Sequence, residues 1–224
     1  MQVKQCQIAF ENGCYGIFLC PAENNINPTD INSIYNHIRD LYPNKFIGIN
    51  YMNSLEEFIN IIPNNVSAIW TDKGIGNIDS IDIVEKINKV KCDKGFLYFG
   101  GFFHKGNNNN LTTDKIDSKI EKANEQIDII TTSGRFTGIE IKIDILKHIH
   151  SKSKKPIALA SGVNINNVVN YINIIEYAII GTGIEKSTTN EDVIQFYKEA
   201  GLSDPVSIGY LDGNKIKEIV EILN

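Results

Sequence analysis

Short runs of apolar and β-branched residues alternate along this chain with longer stretches in which apolar residues recur at helical spacing. The runs predict seven strands, at 16–20, 45–51, 67–71, 95–103, 127–132, 156–160 and 177–180. The longer stretches predict helices over 29–41, 54–62, 80–90, 113–126, 141–152 and 166–173. Strands that alternate with helices in this way form βα units and a parallel sheet.

The apolar strands indicate which kind of parallel sheet is formed. A run such as Tyr177-Ala178-Ile179-Ile180 is apolar on both faces, as a sheet covered by helices requires. Small or polar residues follow nearly every predicted strand, whereas an open sheet concentrates its site in one crevice. We therefore predict an α/β fold of the TIM type, a (β/α)8 parallel barrel formed by residues 1–224 as a single domain.

The number of strands does not match a closed barrel, which has eight. The chain opens instead on a predicted helix, Val3 to Asn12, that ends at Gly13. Free strand edges are usually covered in natural proteins. We expect that the first strand lies upstream of Met1 and was lost by truncation or gene prediction, or else that residues 204–211 or a second subunit of a homo-oligomer cover the gap.

Composition and charge narrow the class of partner. No apolar run approaches the roughly 20 residues that span a bilayer, and the start of the chain has no signal sequence, so we expect a cytoplasmic protein without a membrane span. A net charge of -5 and only two arginines, Arg39 and Arg135, argue against a nucleic-acid partner. The four cysteines form no CxxC pair and are expected to be free thiols. A small-molecule ligand fits this balance better.

The loops after the last two predicted strands carry the strongest chemical signal. They read Ala160-Ser161-Gly162-Val163-Asn164 and Gly181-Thr182-Gly183-Ile184. Glycine lets the backbone approach an anion closely, and in barrels these two loops commonly form a phosphate site. Either loop alone could simply be a tight turn. Together they predict a phosphate-binding type of barrel, with the anion held by Ser161, Gly162, Val163, Gly181, Thr182 and Gly183.

A third polar loop follows the predicted strand 127–132. It contributes Ser133, Gly134, Arg135, Thr137 and Gly138. Backbone N–H groups and hydroxyls of such a loop can bind a polar ligand, and an arginine can contact a phosphate through two nitrogens. The alternative is a capped turn with a solvated arginine.

Candidate catalytic side chains follow other strands. His104 and Asp72 are candidates for general acid and base, and Lys105 for stabilising developing charge. Glu23 and Asn50 would complete the pocket. All of these could instead be ordinary loop or capping residues. No cofactor is predicted, but a divalent metal stays an alternative, because a carboxylate such as Asp72 or Glu23 could be its ligand.

Several of these stretches together resemble the BtpA family of TIM-barrel proteins, which also includes the SgcQ-type proteins. The resemblance lies in residues 11–19, 46–50, 128–138, 160–164 with Asn167, and 180–183. It implies a phosphate-binding barrel similar in layout to phosphoribosylanthranilate isomerase-like enzymes. Some members look like photosystem-assembly factors and others like enzymes of sugar or nucleotide-sugar metabolism. Members have an opening strand with a histidine and a proline-glycine loop, which this chain lacks.

Residues and resemblance together lead to two hypotheses. The first is an enzyme, an isomerase, lyase or transferase, that acts on a small phosphorylated metabolite such as a phosphosugar or a phosphoribosyl or nucleotide-like compound. The second is a non-catalytic assembly or ligand-sensing protein that keeps the anion pocket without turnover.

Overall fold

The computed structural model describes residues 2–21, 28–51, 58–71, 81–101, 113–134, 138–187, 189, 191, 193–195 and 209–224. The strands are β1 Gly16–Leu19, β2 Phe46–Asn50, β3 Ala68–Thr71, β4 Leu97–Gly101, β5 Ile129–Thr132, β6 Ile157–Ala160 and β7 Tyr177–Ile179. The helices are α1 Gln2–Glu11, α2 Pro28–Leu41, α3 Ile81–Lys94, α4 Thr113–Gln126, α5 Ile143–Lys152 and α6 Gly213–Leu223. Two short 3-10 helices span Val168–Asn170 and Thr182–Ile184. No described helix has both the length and the apolar surface that crossing a membrane requires.

The strands form one parallel sheet in chain order, from β1 to β7. Each strand pairs with the next one along the chain, as Leu19 does with Ile49. Among the described residues, α-helices lie between β1 and β2 and between successive strands from β3 to β6, and a 3-10 turn lies between β6 and β7. Among the described residues no pairing joins β7 back to β1. Over the described residues the fold is therefore a TIM barrel with one strand fewer than a closed barrel, which confirms the predicted fold class and the predicted strand count.

The helical layer is continuous where the sheet is open. Helix α6 packs against α1, and the contact is so close that a Cβ atom at Gly213 would lie 2.6 Å from Nδ2 of Asn12. Gly13 ends α1 with a φ of +92°, a left-handed conformation that favours glycine. The N–H of Leu211 donates to Oε1 of Gln5 at 2.8 Å. Helices α6 and α1 thus cover the outside of the gap between β7 and β1.

The two faces of the sheet bury different side chains. Outward-facing residues such as Ile47 and Ile69 pack with the helices in the main core. Inward-facing rings fill the interior of the barrel, and they are Phe18, Phe46, Trp70, Phe99 and Tyr177. The Phe99 ring lies 5.1 Å from Phe18 and 5.7 Å from Tyr177, measured between centroids. Through Phe99 the interior aromatic contacts connect the two edge strands, β1 and β7.

Part of the segment expected to cover the gap lies among the described residues. Leu211 forms an antiparallel bridge with Glu185, and the N–H of Lys186 donates to the carbonyl of Tyr210 at 2.7 Å. Tyr210 also packs near Ile8 of α1. Residues 204–208 lie outside the described residues, so the covering of the gap by this segment or by a second subunit stays a prediction.

One predicted helix, over 166–173, is wrong. Only a 3-10 turn, Val168–Asn170, forms there. Asparagine side chains compete for the backbone: Oδ1 of Asn167 accepts from the N–H of Asn164 at 2.8 Å, and Oδ1 of Asn164 accepts from the N–H of Asn166 at 2.9 Å. Of the predicted helix 54–62, residues 54–57 lie outside the described residues, and the chain after Phe58 forms a turn.

A single arginine ties the loop before β2 to the start of β3. Nε of Arg39 donates to the hydroxyl of Tyr35 at 3.0 Å. Its Nη1 donates to the carbonyls of Pro43 and Lys45 at 3.0 and 2.8 Å. Its Nη2 donates to Oγ of Ser67 at 3.0 Å. The guanidinium fork therefore satisfies acceptors in three parts of the chain at once.

We expect Arg39→Lys to lower the free energy of unfolding by about 1 to 3 kcal/mol, because a single ammonium cannot reach all of these acceptors. Urea unfolding followed by circular dichroism measures the change. His37→Ala, at an exposed position of the same helix, serves as the control. Equal stability of R39K and H37A would show that the arginine contacts contribute nothing net.

Glu185 gives stability a pH dependence. Burial raises the pKa of its carboxyl above the ordinary value, and the Lys215 ammonium opposes this only in part. The folded state thus holds the proton more tightly, and this stabilisation is present below the ordinary glutamate pKa of about 4.3 and is lost as the pH rises through the folded pKa. We expect Glu185→Gln to raise the Tm by about 1 to 2 °C at neutral pH and to leave it unchanged near pH 4, since the carboxyl is half-buried. Thermal melts at several pH values would contradict this if the two proteins differed equally at all of them.

Candidate functional site

Backbone contacts at Gly162 and Gly183 hold the loops after β5, β6 and β7 together, and a contact at Gly134 folds the loop after β5 closely on itself. A Cβ atom on Gly134 would lie 1.8 Å from the carbonyl oxygen of Ile139, and one on Gly162 would lie 2.4 Å from the same oxygen. A Cβ atom on Gly183 would lie 2.0 Å from the carbonyl oxygen of Val163. No side chain fits at these positions without displacing backbone. The three loops therefore form one stacked unit at the carboxyl ends of the strands.

The loop after β6 has an unusual backbone. Ser161 and Gly162 both have a φ of +75°, and a serine in this left-handed region is strained by about 1 kcal/mol or more. Oγ of Ser161 accepts a hydrogen bond from the N–H of Gly138 at 2.9 Å. Strain of this kind is maintained only where the surroundings hold it, and it concentrates at functional sites.

The same loops present unpaired backbone donors. In the loop after β6, the N–H groups that flank Gly162 and Val163 are hydrogen-bonded. The N–H of Ser161 donates to the carbonyl of Ile179 at 3.2 Å, and the N–H of Asn164 donates to Oδ1 of Asn167 at 2.8 Å. Within the described part of the chain, five backbone N–H groups donate to no acceptor, those of Gly162, Val163, Gly181, Thr182 and Gly183. Successive unpaired N–H groups in tight turns form concave sites for anions.

The approach to this group of donors is open at Gly181. Gly181 and Thr182 are exposed. A Cβ atom on Gly181 would have no atom within 4 Å. The loops predicted from the sequence to share an anion are thus brought together, and Gly181 faces free space.

Asn167 supports the loop after β6 from behind. Its Nδ2 donates to the carbonyl of Gly162 at 2.7 Å and to Oε2 of Glu140 at 3.2 Å. The hydroxyl of Tyr171 donates to the same carboxylate oxygen at 3.4 Å, and burial, together with Glu140, raises the pKa of Tyr171. Sequence reasoning gave Glu140 and Tyr171 no role, because no local motif marks them.

A cavity of about 490 Å³ lies beside this support. It is lined by Glu140, Ile141, Lys142, Ile143, Lys147, Asn170 and Tyr171. The cavity lies between the start of α5 and the 3-10 turn after β6. None of the residues predicted to hold a ligand lines it.

Two further predicted residues lie at strand ends. Asn50 is the last residue of β2 and is 2% exposed. Ser133 follows β5, is buried, and donates from Oγ to the carbonyl of Gly134 at 3.2 Å. Both therefore lie at the carboxyl edge of the sheet, where barrel sites form.

The remaining predicted site residues lie outside the described residues. They are Glu23, Asp72, His104, Lys105, Arg135 and Thr137. The catalytic assignments and the contribution of Arg135 accordingly stay predictions. Among the described residues, no group of three or more histidine, cysteine, aspartate or glutamate side chains is placed to hold a metal ion.

The architecture is shared with solved structures. Thiamine phosphate pyrophosphorylase from Pyrococcus furiosus is similar with a TM-score of 0.62 and 13% identity, over 100% of this chain and 89% of that chain. The tryptophan synthase alpha subunit from Legionella pneumophila has a TM-score of 0.62 and 11% identity, over 99% and 86%. A truncated 3-deoxy-D-arabino-heptulosonate 7-phosphate synthase from Thermotoga maritima has a TM-score of 0.61 and 15% identity, over 99% and 79%. At these identities the likeness shows the TIM-barrel fold alone.

Sequence comparison identifies the family. No curated protein matches the sequence. The profile of the BtpA family matches residues 55–200, which include β3 to β7 and all three stacked loops. This match confirms the resemblance seen in the sequence. The chain belongs to the BtpA family.

Proposed function

We propose that this protein is an enzyme that acts on a small phosphorylated metabolite, a phosphosugar or a phosphoribosyl or nucleotide-like compound, at the carboxyl end of the barrel. One observation carries the proposal: five backbone N–H groups in two adjacent loops, held together by backbone contact at Gly183, have no acceptor among the residues that the structure describes. Backbone donors fixed in this way match a phosphate group, which accepts several hydrogen bonds.

The names of two similar solved proteins support this substrate class. One is named for thiamine phosphate and another for a 7-phosphate compound. Shared architecture alone does not carry an activity, so the proposal rests on the loops and not on these names.

Other groups have roles that follow from the sequence. Ser133, Arg135 and Thr137 would add contacts to the phosphate from the loop after β5. Asp72 and His104 would transfer protons, and Lys105 would stabilise developing negative charge. The partner in this proposal is a small molecule. A second subunit and a cytoplasmic location stay predictions.

We expect inorganic phosphate at about 20 mM to raise the Tm of the protein by a few degrees, because a ligand of the folded state stabilises it in proportion to ln(1 + [L]/Kd). Thr182→Glu should abolish this shift, since its carboxylate repels a second anion at the same N–H groups. Thermal melts followed by circular dichroism measure both effects.

Two controls make the phosphate experiment specific. Asn214→Glu adds the same charge at an exposed position of α6, and it should keep the phosphate shift. Potassium chloride of equal ionic strength should not reproduce it. Equal shifts for T182E and N214E, or no shift in the unmodified protein, would refute the phosphate site.

Catalysis is tested separately, with whichever phosphorylated compound stabilises the protein most. Asp72→Asn and His104→Ala should each lower the rate of its conversion at least about 100-fold while the thermal shift remains, because acid–base groups act in the transition state. Conversion is followed by phosphorus NMR. Stabilisation without conversion by the unmodified protein would favour the non-catalytic assembly or sensing role.

A further inference from the structure

Two polar atoms are buried inside the barrel without a partner. Nε1 of Trp70 and Oγ1 of Thr131 make no hydrogen bond within the described part of the chain. Leaving a buried donor unsatisfied is costly, and such groups in native proteins call for an explanation, often an absent ligand or water.

Strand register places both side chains on the inner face. Trp70 lies opposite Phe99, and its ring packs with the interior aromatic cluster. Thr131 lies opposite Gly101 on one side and Ala158 on the other. Side chains alternate between the faces of a strand, so Thr131 shares its face with Ile129, which packs in the same cluster.

Both residues also lie near the carboxyl ends of their strands. Between them stands β4, whose last residue is Gly101 and adds no side chain to the interior. Asn50, opposite Trp70, contributes a buried amide at the same level. Polar groups on β2, β3 and β5 thus lie on the inner face of the sheet, near the mouth of the barrel.

The lack of a partner would not by itself indicate a ligand. Oγ1 of Thr132 is also buried and makes no hydrogen bond among the described residues. Thr132, however, lies opposite Leu159 of the helix-facing core. Location on the inner face distinguishes Thr131 from its neighbour, and it makes Thr132 a matched control.

The surroundings define which chemical group these polar atoms could bind. No inward-facing side chain of the described strands is charged. Below Trp70 lies the aromatic layer, with the Phe18 ring 5.6 Å away between centroids. The described strands offer no counter-charge to a charged group that loses its hydration there, whereas carbonyl or hydroxyl oxygens would satisfy the indole N–H and the threonine hydroxyl.

We propose that Trp70 and Thr131 bind the uncharged, oxygen-bearing head of the ligand, a sugar-like group, while its phosphate lies on the loops after β6 and β7. This inference rests on the proposed function and adds the part of the substrate that enters the barrel. Trp70 and Thr131 are then residues that select among phosphorylated compounds.

Trp70 is the only tryptophan of the chain, so tryptophan fluorescence reports on the surroundings of this side chain alone. Ribose 5-phosphate, glucose 6-phosphate and fructose 6-phosphate are titrated against inorganic phosphate. At least one sugar phosphate should change the emission and bind at least about tenfold more tightly than inorganic phosphate, because it gains hydrogen bonds inside the barrel. Inorganic phosphate should stabilise the protein without changing the emission.

Two variants complete the test, with affinities taken from thermal melts. Thr131→Val keeps the shape of the side chain and should weaken the binding of the sugar phosphate about tenfold, whereas Thr132→Val should leave the affinity unchanged. Trp70→Phe keeps an aromatic ring without the N–H and should weaken the binding of the sugar phosphate by a similar factor.

The outcomes separate the two proposals. If phosphate stabilises the protein but the emission never changes, or T131V and T132V bind alike, the inner subsite is refuted and the phosphate site remains. If neither phosphate nor any sugar phosphate stabilises the protein, the proposed function fails and the subsite fails with it.

Discussion

The close approach of backbone to backbone at Gly134, Gly162 and Gly183 is the constraint on which the candidate site depends. Carbonyl groups of Ile139 and Val163 occupy the positions that side chains would need. The three loops can therefore stack only as long as these positions are glycine. The stack fixes the backbone N–H groups of the last two loops beside one another, and fixed donors bind an anion without the entropy cost of ordering them.

The rest of the fold keeps this edge of the barrel in place although the described residues form seven strands and not eight. Outside, α6 and α1 close the helical layer. Inside, the Phe99 ring bridges from Phe18 on one edge strand to Tyr177 on the other. An open parallel sheet would otherwise be free to flatten, and β7, which carries Gly181 on its following loop, is one of its edges. The geometry of the proposed anion site thus depends on contacts far from these loops.

Local patterns in the sequence predicted the fold well and the site in part. Apolar runs located all seven strands because burial on both faces requires them. The glycine-rich loops were predicted because glycine lets the backbone approach an anion closely. The contact of Gly162 with Ile139, however, is a tertiary contact that no local pattern contains. Trp70 and Thr131, which we propose bind the head of the ligand, were not predicted as site residues because both faces of a barrel strand are buried, so the sequence does not distinguish the inner face. The predicted helix over 166–173 does not form because asparagine side-chain oxygens accept hydrogen bonds from backbone N–H groups there.

A nitrogen-15 NMR titration of the protein with inorganic phosphate tests the anion site at the level of single N–H groups. We expect saturable shifts of the amide signals of Gly162, Val163, Gly181, Thr182 and Gly183, with the signals of Gly13 and Gly95 unchanged as internal references. Shifts confined to surface lysine segments, or none at saturating phosphate in a folded protein, would contradict this expectation.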